Sequence, residues 1–288
     1  MTKRSSVAYL FVAPAVTFFL LFTVAPTFMV GYLSFFKTNY VVSRFVGFSN
    51  YARLLQDRAF IQSIGNSLLF ALFGLPMRLL LPLWMALRAY AYSERMRNMM
   101  RFGFYIPALT SPLVLASVWL FIFDYRRGIV SWLIGLVGLK PVVWFGSQLP
   151  AIFAMTLLLS VGGIGAAFLL FTAVLQSVPR TTIDAAWIDG ASWWQIRWRV
   201  LFPIILPWVL FMTLYLLIAS FQIIEIIWRM TSGGPYNSTA TMLYNIYETG
   251  FVRSAYGMAS AKSLVMMLVL LGIAMVKHRL EGGEDRFI

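Results

Sequence analysis

Cysteine is absent from this chain, and histidine occurs once, at His278. Disulfides and thiolate metal sites are therefore excluded. A single histidine in the tail also rules out a histidine-rich metal cluster and a His-centred catalytic triad. No G-x-x-x-x-G-K-S/T phosphate loop occurs, so the chain does not bind ATP by that route. Charge is scarce: 11% of residues are charged and 60% are apolar, with a mean hydropathy of +0.80. Such a composition would be nearly insoluble as a globular domain, so lipid is the expected solvent. Acidic residues are the rarer charge, 10 against 23 basic, for a formal net charge of +13. The basic surplus does not indicate nucleic acid. It lies in short clusters between apolar runs, and no basic run alternates with aromatics on a soluble stretch.

Apolar runs are what remain. A spanning helix needs about 20 such residues, and six runs qualify: Val7–Phe36, Ile61–Leu87, Phe102–Phe123, Leu149–Leu175, Ile204–Trp228 and Met258–Val276. The first, preceded by Lys3 and Arg4, is too long and too bulky at its end for a signal peptide and reads as a retained span. The expected fold is an all-α membrane protein of six transmembrane helices, a single domain over residues 1–288. An even number of spans puts both termini on one side. Loops on that side carry 12 basic residues and the opposite loops 9, with Arg78 and Lys262 inside spans. This bias, concentrated in Arg95, Arg97 and Arg101 of a tight loop, favours cytoplasmic termini. The short polar tail from Lys277 reads as carrying no soluble domain.

Between the fourth and fifth runs, residues 181–207 read TTIDAAWIDGASWWQIRWRVLFPIILP. Thr181 and Asp184 have the spacing of a capping box. Ala185 and Ala186 favour a helix with little side-chain bulk. Gly190 permits a sharp turn that Asp189 can support by hydrogen bonding, and Pro203 and Pro207 mark re-entry into the fifth span. The predicted arrangement is a short helix, a break and a second helix returning to the membrane, a lever through which a soluble partner could act. Trp187, Trp193, Trp194 and Trp198 crowd this loop, either to pack on that partner or to sit at headgroup level. An ordinary amphipathic interfacial loop is the plainer alternative.

This segment resembles the EAA loop of the permease subunits of binding-protein-dependent ABC importers, whose pattern is E-A-A-x-x-D-G-A followed, about eight residues on, by I-x-L-P. Asp184, Ala185, Ala186, Asp189, Gly190, Ala191, Val200 and Pro203 occupy those places, with Asp184 for Glu and Phe202 for Leu as departures. Phe45 to Tyr51 is similar to the F-V-G-L-x-N-Y segment of the carbohydrate-uptake branch. Thr231 to Pro235 is similar to its T-x-G-G-P segment, and Ile246-Tyr247 to the I-Y that follows. The resemblance implies a permease without enzymatic activity in the inner (cytoplasmic) membrane, half of a sugar or glycerol-phosphate pathway. It implies a cytoplasmic coupling loop at residues 177–203 and an extracytoplasmic loop at 229–257. Expected partners are a second homologous permease, two cytoplasmic ATPase subunits that carry ATP and Mg, an extracytoplasmic solute-binding protein and membrane lipid. Asp184, Ala185, Ala186, Asp189, Gly190 and Ala191 would couple to the ATPase. An importer of amino acids or peptides is the alternative within the family. An ion-coupled transporter acting alone is the alternative outside it.

The solute path is expected at the fourth span, where Gly162, Gly163, Gly165 and Ala166 lie about halfway through, and at Ser220, Gln222 and Glu225 of the fifth. Glycines there fit either a midplane interruption at a site or close helix packing. Arg78, two residues after Pro76 in the second span, is costly unless paired. It could meet an anionic solute, pair with a carboxylate of a partner subunit, or snorkel inward. Lys262 reads as an outer-interface residue. In the 229–257 loop, Met242, Leu243, Ile246 and Tyr247 form the expected apolar helical face.

Overall fold

The computed structural model describes residues 3–39 and 41–281. The side chain of His278, and Arg286 with the rest of residues 282–288, lie outside that description. In chain order, α1 covers residues 3–33 and is followed by a hairpin of β1 (Phe36–Thr38) and β2 (Ser43–Phe45), then by α2 (Ser49–Leu54). The long α3 (Arg58–Ala89) precedes α4 (Glu94–Leu109), α5 (Pro112–Ile122) and α6 (Ile129–Leu136). Then come α7 (Gln148–Gln176), α8 (Arg180–Ile188), α9 (Trp193–Phe221), α10 (Glu225–Met230), α11 (Met242–Tyr247) and α12 (Tyr256–Glu281). Five of these helices are long and apolar enough to cross a membrane, and α4 with α5 makes a sixth if the bent pair counts as one. The small hairpin is the exception to an otherwise helical chain.

Two expected spans take a different form. The third is not straight: α4 and α5 meet at 91° across Thr110 and Ser111. Pro112 cannot continue a helix from before it and biases Ser111 to extended backbone (ψ 133°), so the helix ends and restarts. Arg95, Arg97 and Arg101, expected in a loop, lie on α4, which starts where the Ser93 side chain accepts from the Met96 N–H. At the fifth expected span, α9 begins at Trp193, well before Ile204, and ends at Phe221, with Glu225–Met230 a separate short helix. Pro203 and Pro207 therefore lie inside a continuous helix and do not mark its entry.

Prolines instead widen the spans. At Leu20–Val24, Pro76–Leu80 and Ile196–Leu201 the helix takes a π-type turn. Each contains the residue four before a proline (Pro26, Pro82, Pro203), whose carbonyl receives no i→i−4 bond because proline has no N–H. The residue preceding each proline reaches back five places instead: Ala25 to the Leu20 carbonyl, Leu81 to Pro76, and Phe202 to Arg197. Arg78 sits in one of these wider turns.

The chain divides into two compact units, Met1–Ile61 with Asn245–Leu271, and Gln62–Tyr244 with Gly272–Ile288. In the first, Asn50 donates to the Ser34 and Phe36 carbonyls (2.8 and 2.9 Å), and the Tyr51 hydroxyl donates to Ser34 Oγ (2.7 Å). The end of the F-V-G-F-S-N-Y segment thus ties α2 to the end of α1 and the hairpin. Lys262 is not at an exposed interface. It is 3% exposed, pairs with Asp57 at 2.7 Å, donates to Asn245 Oδ1 (2.7 Å) and Thr249 Oγ1 (2.8 Å), and lies over the Phe60 ring. Around α11 the buried residues are Thr241, Met242, Tyr244, Asn245 and Thr249, while Leu243, Ile246 and Tyr247 stay half-exposed. The face turned inward is thus more polar than expected, because Asn245 and Thr249 must satisfy a buried ammonium.

The second unit holds two apolar clusters. One joins α3, α7, α8 and α9 through Leu83, Leu87, Phe168, Phe171, Ile183, Ile196 and Ile205. The other joins α5, α7 and α10 through Ala116, Ile152, Met155, Ile226, Ile227 and Met230. Asn66, fully buried on α3, donates to the Asn237 and Ala240 carbonyls (both 2.8 Å) and accepts from Gln148 Nε2 (2.7 Å). It pins the T-x-G-G-P loop. Within that loop Thr231 and Thr239 share a hydroxyl bond of 2.8 Å, and Gly233, at φ 81°, would place a Cβ 2.8 Å from the Tyr244 ring.

Burial pushes the Asp57 carboxyl up, but the Lys262 ammonium and the Phe60 N–H (3.1 Å) outweigh it and hold the group below its ordinary carboxylate range. A depressed folded-state value gives stability that is present above the unfolded value, about 3.9, and lost as pH falls through the folded one. Thermal unfolding in detergent is expected to show a midpoint that drops below about pH 4 in the wild type. Asp57→Asn should start lower at pH 7 and lose much of that acid dependence.

Candidate functional site: the inter-span helix and the surroundings of Arg78

Helix α8 is the first part of the site. Its start does not use the expected capping box. Pro179 is the cap residue and makes no side-chain cap bond, so Thr181 lies inside the first turn and Asp184 beyond it. Proline before Arg180 presets the backbone for helix entry but offers no side-chain acceptor. The reciprocal box is formed at the start of α9. Ser192 Oγ accepts from the Gln195 N–H (3.4 Å), and Gln195 Oε1 accepts from the Ser192 N–H (2.7 Å). The S-x-x-Q spacing at 192–195 carried this signal in the sequence.

The C-terminal end of α8 closes as the glycine suggested. Gly190 has φ 75°, its N–H donates to the Trp187 carbonyl (3.0 Å), and the Ala191 N–H donates to the Ala186 carbonyl (3.0 Å). This paired 5→2 and 6→1 closure is a Schellman turn. A Cβ at Gly190 would meet nothing within 4 Å, so conformation and not space demands glycine. Backbone donors make the turn, and the Asp189 carboxylate stays exposed without a role in it. Ile183 is buried, and Ala186 and Ala191 pack partly against the same core. Asp184, Ala185, Ile188 and Asp189 are exposed, Ile188 by 86%. Small residues therefore let α8 lie close to its own membrane domain while its other face stands free. Trp187 packs edge-on to Trp193, and Arg197 lies 5.5 Å from the Trp193 ring, so these tryptophans are partly held by the chain itself. Beside α8 a cleft of about 320 Å³ is lined by Tyr90, Ser93, Arg97, Gln176, Arg180 and Asp184, among others.

Farther into the second unit, α7 runs unbroken from Gln148 to Gln176, so the glycines make no interruption. They serve close approach. A Cβ on Gly165 would stand 2.2 Å from the Phe104 carbonyl oxygen, and one on Gly163 would stand 2.7 Å from Arg78 Nε and 3.2 Å from its Nη2. Gly162 meets only Leu115 Cδ1 at 4.0 Å, and Ala166 is exposed. The structure thus brings Arg78 and Gly163 together, which sequence spacing could not show.

Ser220, Gln222 and Glu225 gather at the break after α9. Ser220 is buried and donates to the Leu216 carbonyl (2.8 Å), while Gln222 and Glu225 are exposed on either side of the break. The Ile223 carbonyl, left over by the broken helix, is taken by the Thr241 hydroxyl. Among the described residues no group of three or more His, Cys, Asp or Glu could hold a metal ion.

Long apolar helices, a protruding inter-span helix and small-residue packing at mid-span define a multi-spanning permease subunit in the membrane. Residues 78–281 match the family described as "Binding-protein-dependent transport system inner membrane component", and the chain belongs to that family. It is similar to the arabinooligosaccharides transport system permease protein AraP of Bacillus subtilis, 28% identical over 97% of this chain and 90% of that one. It is also similar to the sn-glycerol-3-phosphate transport system permease protein UgpA of Agrobacterium fabrum, 28% identical over 94% and 93% of the two chains. The UgpA of Pectobacterium atrosepticum is 30% identical over 82% and 80%. A chain of a bacterial alginate ABC transporter, solved with an alginate pentasaccharide-bound periplasmic protein, superposes with a TM-score of 0.80. It is 23% identical over 96% of this chain and 94% of that one, a likeness of fold.

The glycines differ in what surrounds them, so their substitutions separate. Gly165→Ala forces a methyl into backbone and is expected to cost about 1–3 kcal/mol of stability, whereas Gly162→Ala should be near neutral. Paired thermal-unfolding curves of the two variants in one detergent check the order.

Proposed function

We propose that this chain is one half of the translocation pathway of an ATP-driven importer of carbohydrate or glycerol-phosphate-like solutes. A second permease, homologous but distinct, would complete the pathway, two ATPase subunits would bind ATP and Mg, and an extracytoplasmic protein would deliver the solute. The names of the relatives, an arabinooligosaccharide system and sn-glycerol-3-phosphate systems, support the solute class. Residues 177–203 are read as the cytoplasmic coupling loop and 229–257 as extracytoplasmic, with both termini cytoplasmic. The cluster of Arg95, Arg97 and Arg101 on α4, of which Arg97 lines the α8 cleft, supports that orientation.

One observation carries the coupling role. Helix α8 is anchored by Ile183 and by a glycine turn, yet it leaves Asp184, Ala185, Ile188 and Asp189 uncovered, including a large apolar residue at its tip. An apolar side chain held on a rigid, exposed helix end suits insertion into a groove of another protein. ATP-driven closure of two ATPases would carry these helices with it and shift the spans between inward- and outward-facing states. On this reading Gly162, Gly163, Ala166, Ser220, Gln222, Glu225 and Arg78 line the solute path.

Co-purification with the ATPase subunits tests the lever. Ile188→Asp changes a fully presented residue, so its thermal stability should stay near wild type while ATPase recovered with the complex falls about tenfold or more. Gly190→Val should lose the turn and the ATPase together. Full ATPase recovery with both variants would remove α8 from the coupling role.

A further inference from the structure

Arg78 lies about 16 Å along the helix axis from the end of α3 at Ala89, inside a helix long and apolar enough to cross a membrane. A charge at that depth needs a counter-charge, carbonyl oxygens or water. Among the described residues the ion pairs are Arg253–Glu248 and Lys262–Asp57. Among the described residues the Arg78 side chain has neither an ion pair nor a hydrogen bond, and its Nε is buried without a partner. Nor does its side chain escape toward an interface: the guanidinium lies on the bare backbone of Gly163. Gly162 beside that contact has only Leu115 near the place of a Cβ, at 4.0 Å, and Ala166, one turn on, is exposed.

We propose that Arg78 is an anion-recognising residue and that the solute passing this half of the path bears a carboxylate or a phosphate. The planar guanidinium takes either group by two parallel N–H···O bonds. A fixed carboxylate from a neighbouring subunit could also neutralise Arg78. Such a permanent pair needs no adjoining space, whereas a moving solute does, and beside the guanidinium Gly162 carries no side chain and Ala166 is exposed. The inference rests on the reading that this face lines the path.

The chain has no native cysteine, so Ala166→Cys gives this chain a single thiol, and labelling is read on this chain after it is separated from the other subunits. Labelling of that thiol by a negatively charged sulfonate methanethiosulfonate is compared with labelling by its positively charged trimethylammonium counterpart. The anion-to-cation rate ratio is expected to fall at least about tenfold when Arg78→Gln is added and to change little with Arg78→Lys. Galacturonate or glucose 6-phosphate should slow labelling more than galactose or glucose, and only while Arg78 is present. A ratio unmoved by Arg78→Gln means that the charge is already neutralised by a subunit, and it overturns the proposal. So does a thiol that neither reagent reaches, or a lack of protection by both anions. Labelling requires no ATP. Intact ATP-driven uptake with any of those results sinks the anion reading alone, while the expected labelling without ATP-driven uptake sinks the proposed assembly.

Discussion

Inside a lipid bilayer every backbone N–H and C=O must find a partner in the protein, because no water is there to supply one. Much of this chain's architecture answers that requirement. Helix α7 runs 29 residues without a break despite its glycines, since any interruption would strand carbonyls. Where proline removes a donor at Pro26, Pro82 and Pro203, the helix widens by one residue and the preceding N–H reaches back five places. Where a helix does break, at Gln222–Ile224, a hydroxyl from Thr241 takes a freed carbonyl and an apolar cluster covers the segment. Irregular backbone at such a place is sustained by neighbouring protein and not by lipid.

Small residues are used in two distinct ways along α7. Gly165 lets the Phe104 backbone approach within contact distance, which is pure packing. Gly163 yields its space to a charged side chain, which is not packing in the same sense, because among the described residues no carboxylate pairs with the arginine that fills it. A bare glycine motif cannot tell these apart. The difference lies in which element crosses at that turn: the end of α4 at Gly165, the wide turn of α3 at Gly163.

Length and hydropathy made the spans legible to different degrees. The second, fourth and sixth apolar runs match α3, α7 and α12 to within a turn or so, because an uninterrupted apolar run of that length has few alternatives to a helix. The bend between α4 and α5 was not legible from hydropathy, which sums composition and ignores direction; Pro112 after Thr110-Ser111 was the available sign. Gln222 and Glu225 were read as polar groups within a span, when their polarity marked the span's end. Lys262 was placed by depth alone, and its burial depends on Asp57, a residue too distant in sequence to pair by pattern. At the inter-span lever the glycine turn was legible because positive φ has one cheap residue. The cap was misplaced because Thr181 and Ser192 both precede a suitable partner, and only Pro179 decides between them.

The pairing of Asp57 with Lys262 also sets a timetable. Roughly two hundred residues separate the two, and synthesis at about 5–20 residues per second leaves a gap of some 10–40 s between their emergence. During that interval the carboxylate just before α3 must be tolerated by the insertion machinery or by lipid headgroups without its lysine. The unit built from both ends of the chain can lock only once the last helix is threaded, so a nascent protein truncated before that point would be left with an open seam.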